Sequence, residues 1–473
     1  MQSNAKRIAG ILAYLIIGLF LVYKFPDTTN DPDLFWNYIV LCTSYFYVAG
    51  IFLIMLLNNR VEVFEPFTVL FILYILLYTI TPIVLIWQNN TLCWGTDVMG
   101  GCIKATLIYM ASFSIYAFVY FNRIQIGPRM TSYVPEDENE IVLDITGSRA
   151  KRMLRVAYFM YAIFLVVSLW FMMHCGYSIS YILTLGLSSN AAEQVSYSSL
   201  AFLENVIYGL IPLWLYIYLL SKSRFMKFIT GFIPFAMFMI RGFRFVIVIQ
   251  IIAAIICYYK VKNKKPKGST IFIMGVLFLG FITIMGFTRN AVRTGAEIDW
   301  SSFGLDTLEY ALYSNFNIYQ IYYGLVDAMP DRVPFIYFQS MIDSMAVFIP
   351  RAIWPSKPLA AEVASIQVMM KAINAFVIQG AYMATPDLGA YYMSFGTFGC
   401  LAYSTAWGIL SRRIKAMNYL NKNNVHKIII YSIFTIVIFY TITRGGDLFN
   451  IVKKMIFFFL PIFILQAIDN GDV

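Results

Sequence analysis

Arginine residues stand between apolar segments at places where a charged side chain is unusual. Arg241 and Arg244 flank Gly242-Phe243, and basic clusters at 222–227 and 260–267 lie beyond the two apolar runs on either side. Runs of about 13–15 residues span about 20 Å, too short for about 30 Å of hydrocarbon. We therefore expect a hairpin whose turn lies below the surface. An Arg there costs roughly 3 kcal/mol unless it is paired, and its planar fork binds two oxygens of an anion at once. Extension to the interface as an anchor is the ordinary alternative.

Three further stretches combine cations with special backbones. They are Thr288–Arg293 with Arg289 and Arg293, Phe348–Pro358 with Arg351, Trp354 and Lys357, and Thr443–Asp447 with Arg444. The prolines of the second stretch forbid a regular helix, and a Trp there can stack on a sugar ring or rest at a membrane interface. Each stretch has an ordinary alternative. The first could be simple anchoring at a helix exit, the second a rigid turn, and the third a local Arg–Asp pair.

Aromatic residues recur at a spacing near three between residues 307 and 324. Tyr310, Tyr313, Phe316 and Tyr319 form this series. The spacing predicts an aromatic ridge on a helix. Such a ridge suits packing first and sugar contact second, and Tyr313 is the candidate for sugar contact.

Composition places the chain in a membrane. The 473 residues are 60% hydrophobic and 13% charged, which leaves too little charged surface for a soluble domain. We predict an all-α polytopic helical bundle. About twelve spans are expected, near 8–23, 35–57, 65–87, 101–121, 153–173, 199–220, 228–240, 245–259, 269–287, 388–410, 428–442 and 450–467.

Charge sets the expected orientation. The net charge of +10 comes from Lys and Arg clustered in alternate short loops, which is the positive-inside pattern of a membrane protein and argues against nucleic-acid binding. Both termini are therefore predicted to be cytoplasmic.

The chain divides into spans one to nine (1–287), a large outer loop subdomain (288–387) and spans ten to twelve (388–473). The loop is rich in Tyr, Phe, Ile and Met and should fold against the bundle.

Nothing in the sequence suggests a metal or another cofactor. There is no Cys-x-x-Cys motif and no His cluster, while Asp31-Pro32-Asp33 reads as a solvated turn. Cys93 and Cys102 flank a short outer loop and could be bridged or free.

The four cationic stretches together resemble the Wzy-type O-antigen polymerases, the oligosaccharide repeat-unit polymerase family, including those of enterobacterial common antigen. The resemblance runs from about residue 240 to 450. It rests on Gly242-Phe243-Arg244, Phe348-Ile349-Pro350, Trp354-Pro355, Lys357-Pro358, Thr385-Pro386 with Gly389, Phe395-Gly396 to Gly399, and Arg444-Gly445. Family members often carry an acidic residue where this chain has Ala390.

The resemblance implies a GT-C-like bundle in the bacterial cytoplasmic (inner) membrane and a metal-independent glycosyltransferase. The enzyme would join undecaprenyl-pyrophosphate-linked repeat units into surface polysaccharide at the outer face of that membrane. A chain-length regulator protein is a possible partner. Arg244, Arg289 and Arg351 are the candidate catalytic cations. The candidate substrate-binding residues are Arg241, Arg293, Trp354, Lys357, Arg444 and Tyr313.

The base for the acceptor hydroxyl stays open in sequence. The candidates are Asp299, Asp306, Glu309, Asp343 and Asp387.

Other functions compete with polymerisation. A flippase for lipid-linked oligosaccharide would need polar residues along many spans, whereas the charges here concentrate at span ends and in one loop. A transferase using polyprenyl-phosphate sugars would depend on Asp31 and Asp33 and usually on a metal. The outer-loop His of O-antigen ligases has no counterpart between residues 288 and 387.

We expect residues 288–387 to be accessible from outside the cytoplasmic membrane, because the next loops along the chain, at 260–267 and 412–427, carry the basic clusters of the inner side. Single-Cys variants in this loop should react with a membrane-impermeant thiol reagent in intact cells, and variants in 122–152 should not. Labelling of 122–152 from outside would overturn the orientation.

Overall fold

The structure is a computed structural model. The residues it describes are 2–24, 32–58, 60–88, 91–93, 95–122, 147–175, 201–240, 244–262, 266–271, 273–277, 280–281, 283–284, 300, 303–304, 307, 316–346, 349, 353–354, 361–373, 385–420, 424–444 and 448–470.

Helices make up almost all of the described structure. They are α1 (Gln2–Tyr23), α2 (Pro32–Leu57), α3 (Pro66–Ile75), α4 (Thr81–Trp87), α5 (Cys102–Phe121), α6 (Ser148–His174), α7 (Leu210–Leu220), α8 (Arg224–Ile240), α9 (Arg244–Val261), α10 (Tyr319–Ala328), α11 (Gln339–Ala346), α12 (Ala361–Ala372), α13 (Asp387–Leu420), α14 (Val425–Arg444) and α15 (Leu448–Asn470). A π-helical turn, Leu76–Ile80, joins α3 to α4, and a 3-10 segment, Ala201–Gly209, leads into α7. Strands β1 (Leu92–Cys93) and β2 (Thr96–Asp97) form a small antiparallel hairpin.

Apolar helices of spanning length confirm a multi-pass helical membrane protein. Five described helical segments are long and apolar enough to cross a bilayer: Asp33–Leu57, Pro66–Trp87, Met99–Phe121, Ser148–His174 and Leu203–Leu220. Shorter apolar helices are Ile8–Tyr23, Val246–Val261, Gly268–Leu277 and Val425–Ile438. The number of twelve spans and the GT-C-like arrangement stay predictions.

Aromatic rings fill the interior of the bundle. Phe67 on α3 lies among Phe113, Tyr116, Tyr120 and Phe121 of α5, with ring centroids 4.7–6.2 Å away. Packed aromatic pairs contribute about 0.5–1.5 kcal/mol each beyond their buried area. These contacts hold α3 and α5 side by side, and α13 packs along the same α5.

Ion pairs between helices gather at one end of the bundle, which we call the basic end and define by Arg149, Lys260 and Lys415. Lys415 on α13 lies 2.6 Å from the buried Glu65, whose other oxygen accepts a hydrogen bond from Tyr120 at 3.1 Å. Lys260 on α9 lies 3.5 Å from Glu62. The positive-inside rule predicts that this end faces the cytoplasm.

A second group at the basic end ties α6, α14 and α15 together. The Asp469 carboxylate accepts hydrogen bonds from the Arg149 guanidinium and lies 3.1 Å from His426 Nε2. His426 Nδ1 in turn contacts the Tyr216 hydroxyl of α7. The Asp469 side chain is buried, so its negative charge depends on these partners.

The opposite end, which we call the loop end, contains Trp87, Gly101 and α10. Helix α10 belongs to the long segment between the predicted spans nine and ten, and it is buried against α5, α12 and α13. Tyr322 donates a hydrogen bond to the Ala105 carbonyl at 3.2 Å, and Gln320 donates to the Leu92 carbonyl at 3.3 Å. Part of this segment therefore packs into the bundle, as its composition suggested.

The predicted aromatic ridge is only partly described. Phe316 and Tyr319 are buried, which agrees with a packing role. Tyr310 and Tyr313 lie outside the described residues. The boundaries of the proposed loop subdomain stay a prediction.

Asp469→Asn should destabilise the protein, because Arg149 and His426 lose a charged acceptor that holds three helices. Hydrogen bonds to charged groups contribute about 1.5–3 kcal/mol each, so a clear fall in melting temperature of the detergent-purified protein is expected. Asp327→Asn is the matched control, since Asp327 also pairs with an arginine, Arg332, but is solvent-exposed. Equal melting temperatures for the two variants would contradict the prediction.

Candidate functional site

Helix α13 is broken near its start. Phe395 (φ −141°, ψ 21°) and Gly396 (φ 61°, ψ −146°) have non-helical dihedrals. A positive φ of this kind is readily adopted by glycine and strained for other residues, which explains Gly396 at the turn. The backbone N–H of Ile336 donates to the Met393 carbonyl at 2.9 Å, so the segment between α10 and α11 supplies a partner near the break.

The break folds the first arm of α13, residues 387–394, back along the second arm, residues 397–420. Cys400 Sγ donates to the Leu388 carbonyl at 3.3 Å, and the rings of Tyr391 and Tyr403 stack with centroids 4.0 Å apart. A straight helix would separate residues twelve positions apart by about 18 Å. The predicted span 388–410 is therefore two antiparallel arms rather than one continuous helix.

The first arm begins at Asp387, inside the bundle rather than at its surface. The Asp387 side chain is fully buried and accepts hydrogen bonds from Tyr74 at 2.6 Å and Tyr78 at 2.7 Å. These tyrosines lie midway along the continuous path of α3, the π turn and α4. Ring contacts with Tyr109, midway along α5, confirm the depth.

The π-helical turn contributes to this geometry. Tyr74 precedes the turn and Tyr78 lies within it, and their rings meet edge to face at 5.3 Å. Short π segments inside α-helices are frequent at functional sites because they re-aim side chains. Here the two hydroxyls approach different oxygens of one carboxylate.

The helical register places the backbone of Arg444 at a depth similar to that of Tyr74 and Tyr78. Tyr431 on α14 donates to the Phe64 carbonyl at 3.0 Å, which aligns α14 with the start of α3. Arg444 lies about 20 Å beyond Tyr431 along α14, and Tyr78 lies about 21 Å beyond Phe64, at 1.5 Å per residue. The end of α14 is thus level with the tyrosines that hold Asp387.

The start of α9 lies at the same depth as the end of α14. Cys257 donates to Ser432 at 3.1 Å, so α9 and α14 run antiparallel in a fixed register. From this contact, Arg244 lies about 20 Å along α9 and Arg444 about 18 Å along α14. The structure therefore brings the backbone positions of these two predicted site residues to one depth.

A small cavity lies beside the break in α13. Its lining combines aromatic rings with hydroxyl groups, from Tyr337, Ser340, Met341, Ala390, Tyr391, Ser394 and Phe395. Tyr391 lies between the cavity and Tyr403, because its ring lines the cavity and stacks on the Tyr403 ring.

The loop end also offers an accessible cation and an exposed aromatic residue. Lys104 Nζ on α5 lies 5.5 Å from the centre of the Tyr392 ring on the first arm. Trp354 is 39% exposed and follows Ile353, which is 76% exposed. This pair suits a membrane interface or a sugar face.

Most of the predicted site residues lie outside the described part of the chain. Arg241, Arg289, Arg293, Tyr313, Arg351 and Lys357 lie outside the described residues, as do the alternative bases Asp299, Asp306 and Glu309. Asp343 lies on α11 and accepts a hydrogen bond from Gln339 at 2.9 Å. Asp387 is thus the one described candidate base that is fully buried.

Sequence reasoning overlooked Tyr74 and Tyr78. Their spacing of four within an apolar run places both hydroxyls on one face of a helix, which was the available signal. Lys104 was also overlooked. Cys102 is a free, buried thiol, so no bridge links it to Cys93. The described residues contain no group of three His, Cys, Asp or Glu side chains that could hold a metal ion.

The bundle of long apolar helices is that of a polytopic membrane protein. The family model for the O-antigen polysaccharide polymerase Wzy matches residues 10–470, and the chain belongs to this family. The resemblance inferred from the motifs is thereby confirmed. The protein is a multi-pass membrane enzyme of polysaccharide biosynthesis that transfers glycosyl groups on lipid-linked oligosaccharides. No curated protein and no solved structure matches the chain.

Gly399→Ala should disrupt the folded-back arm, because a Cβ there would lie 2.2 Å from the Tyr391 carbonyl oxygen. Overpacking of this kind costs about 1–3 kcal/mol. We expect a lower melting temperature and a weakened ladder of polymer lengths in a complemented deletion strain. Gly275→Ala is the control, since a methyl group there meets open space. A normal ladder from Gly399→Ala would contradict the close contact.

Proposed function

We propose that this enzyme joins undecaprenyl-pyrophosphate-linked oligosaccharide repeat units at the outer face of the bacterial cytoplasmic membrane. The observation that carries the proposal is the shared depth of three groups in the bundle. The broken helix brings Asp387 to the level at which α9 begins with Arg244 and α14 ends with Arg444. A carboxylate and the backbone positions of two arginines at one depth suit a reaction between a hydroxyl and a pyrophosphate ester.

The reaction requires charge stabilisation on the leaving group. The acceptor hydroxyl oxygen attacks the anomeric carbon of the growing glycan, and the bond from that carbon to the pyrophosphate oxygen breaks. The electron pair leaves with undecaprenyl pyrophosphate, whose added negative charge needs fixed cations. Arg244, Arg289 and Arg351 take this role in our proposal, and loss of one such donor typically reduces the rate about 100–1000-fold.

Positioning of the two lipid-linked substrates falls to further residues. Arg241, Arg293, Lys357 and Arg444 would bind phosphate or saccharide oxygens, and Trp354 and Tyr313 would contact sugar faces. The exposure of Trp354 supports such a contact. Anchoring both substrates in one bilayer also supplies much of the acceleration through proximity. No divalent ion is required by this scheme, and a chain-length regulator protein would act from outside this site.

Arg244→Ala should abolish polymerisation while the protein still inserts, because the recessed cation is lost. Arg244→Lys keeps the charge but not the two-pronged geometry, so it should also be impaired. Arg241→Lys is the control and should retain more activity. The measurement is the ladder of glycan lengths in a deletion strain that carries each variant, with protein abundance checked by immunoblot.

A normal ladder from Arg244→Ala would leave Arg244 as an interfacial anchor. The overall function is tested by the deletion strain itself, which should accumulate single capped or lipid-linked units.

Activity of the purified enzyme should survive EDTA. Loss of activity that Mg²⁺ or Mn²⁺ restores would contradict metal independence and favour a role for Asp31 and Asp33.

A further inference from the structure

Helix α15 carries two lysines, Lys453 and Lys454, within the apolar run that we predict to cross the membrane. The burial pattern of the helix shows which way the second lysine faces. Phe458, Ile462 and Leu465 are buried, and they follow Lys454 at spacings of four, eight and eleven residues, which share one face of a helix. Lys454 therefore lies at the outer end of the stripe that α15 turns toward the bundle.

The ammonium of Lys454 lies against an aromatic ring inside the bundle. Its Nζ is 5.7 Å from the centre of the Tyr208 ring. Tyr208 belongs to the 3-10 segment that leads into α7, is 2% exposed, and packs on the rings of Phe238 and Phe458. Lys454 itself is half-buried, so part of its surface stays accessible.

This position is unlike that of a lysine that only anchors a helix at the membrane surface. An anchoring lysine extends its ammonium away from the core to water. The exposed, lipid-facing side of α15 carries Ile456, Leu460 and Phe463, and Lys454 lies on the opposite side. A charged residue on the interior face of a membrane span is costly, and such residues mark ligand or ion sites by default.

The helical register places Lys454 close in depth to Arg444. Asp469 lies 3.1 Å from His426, which aligns α15 with its antiparallel neighbour α14. From this contact Lys454 lies about 22 Å along α15, and Arg444 lies about 27 Å along α14. The backbone positions of the two cations thus differ by about 5 Å in depth on adjacent helices.

We propose that Lys454 binds the pyrophosphate of the lipid-linked substrate. The inference rests on the proposed polymerase function and adds to it a binding residue on the last helix. A pyrophosphate spreads its negative charges over several oxygens, so it requires more than one cation. Lysine binds phosphate as a compact point charge with three donors, and it complements the planar fork of an arginine such as Arg444.

The tyrosine ring beside Lys454 suits this role. The face of Tyr208 attracts the ammonium and holds it in place, but a neutral ring does not cancel its charge. The positive charge therefore stays available to an anion. When the sugar–phosphate bond breaks, its electron pair leaves with the lipid pyrophosphate, and a fixed ammonium stabilises the added negative charge.

The test measures binding of undecaprenyl pyrophosphate to the full-length protein by native mass spectrometry. Lys454→Met keeps an unbranched side chain and removes a charge from the membrane, so the ligand-free variant should insert and be at least as stable as wild type. Its dissociation constant for undecaprenyl pyrophosphate should rise at least about tenfold. Lys454→Arg keeps the charge and should recover most of the affinity. Undecaprenol, which has no phosphate, should bind wild type and Lys454→Met alike.

Lys227→Met is the matched control. Lys227 on α8 also places its ammonium near a tyrosine ring, that of Tyr218 at 5.4 Å, but at the basic end of the bundle. This variant should bind undecaprenyl pyrophosphate within about twofold of wild type. A loss equal to that of Lys454→Met would show a general effect of net charge and overturn the assignment.

Phosphatidylglycerol offers a phosphate on an ordinary membrane lipid. Added in excess, it should leave the binding of undecaprenyl pyrophosphate to wild type unchanged. Displacement that requires Lys454 would assign the residue to a phospholipid instead and overturn the proposal.

The remaining outcomes separate this inference from the proposed function. Wild-type protein that binds undecaprenyl pyrophosphate but makes no polymer from lipid-linked repeat units contradicts the polymerase function. Wild-type affinity and polymerisation in Lys454→Met overturn the role of Lys454 alone. Failure of Lys454→Met to insert would also contradict the proposal, because a lysine kept for binding is dispensable for folding.

Discussion

A carboxylate in the middle of an apolar bundle must have hydrogen-bond donors, and this requirement shapes the centre of the protein. Asp387 obtains them from Tyr74 and Tyr78, which fixes the first arm of α13 against α3 and the π turn. The arm can reach that depth only because α13 turns back at Gly396. The cavity lies beside this break and is lined by Tyr337 of the segment between α10 and α11. Unpaired polar groups at this depth would each cost several kcal/mol.

Membrane-spanning helices were predictable because long apolar runs bounded by Lys and Arg leave few alternatives. The runs that become α2, α5 and α6 have no competing structure, and their bounds agree with the sequence interpretation within a few residues. The family was predictable from cation and proline motifs, which the family match confirms. The sequence predicted Arg244 as a recessed cation and Arg444 as a cation between two apolar runs. That their backbones share one depth became visible only from the register between α9 and α14.

The folded-back first arm of α13 could not be predicted from sequence. It is held by the hydrogen bond between Tyr74 and Asp387, which are 313 positions apart in the chain. Thr385-Pro386 is an ordinary helix start, and a single glycine in an apolar run is compatible with a continuous helix. Tyr74 and Tyr78 resemble other aromatic residues of a buried span. The number of candidate bases could be narrowed only after burial was known, because Asp343 and Asp387 have the same chemistry in sequence and different surroundings in the bundle.

The placement of ion pairs has a mechanical consequence. Among the described residues, the pairs that join separate helices through Arg149, Lys260 and Lys415 all lie at the basic end, whereas the loop end pairs Arg332 with the nearby Asp327. Helices fastened at one end separate most easily at the other. Among the described residues, the loop end can therefore part sideways without breaking any of these three ion pairs. Under the proposed function, a long lipid tail would then remain in the bilayer while its saccharide enters between the helices.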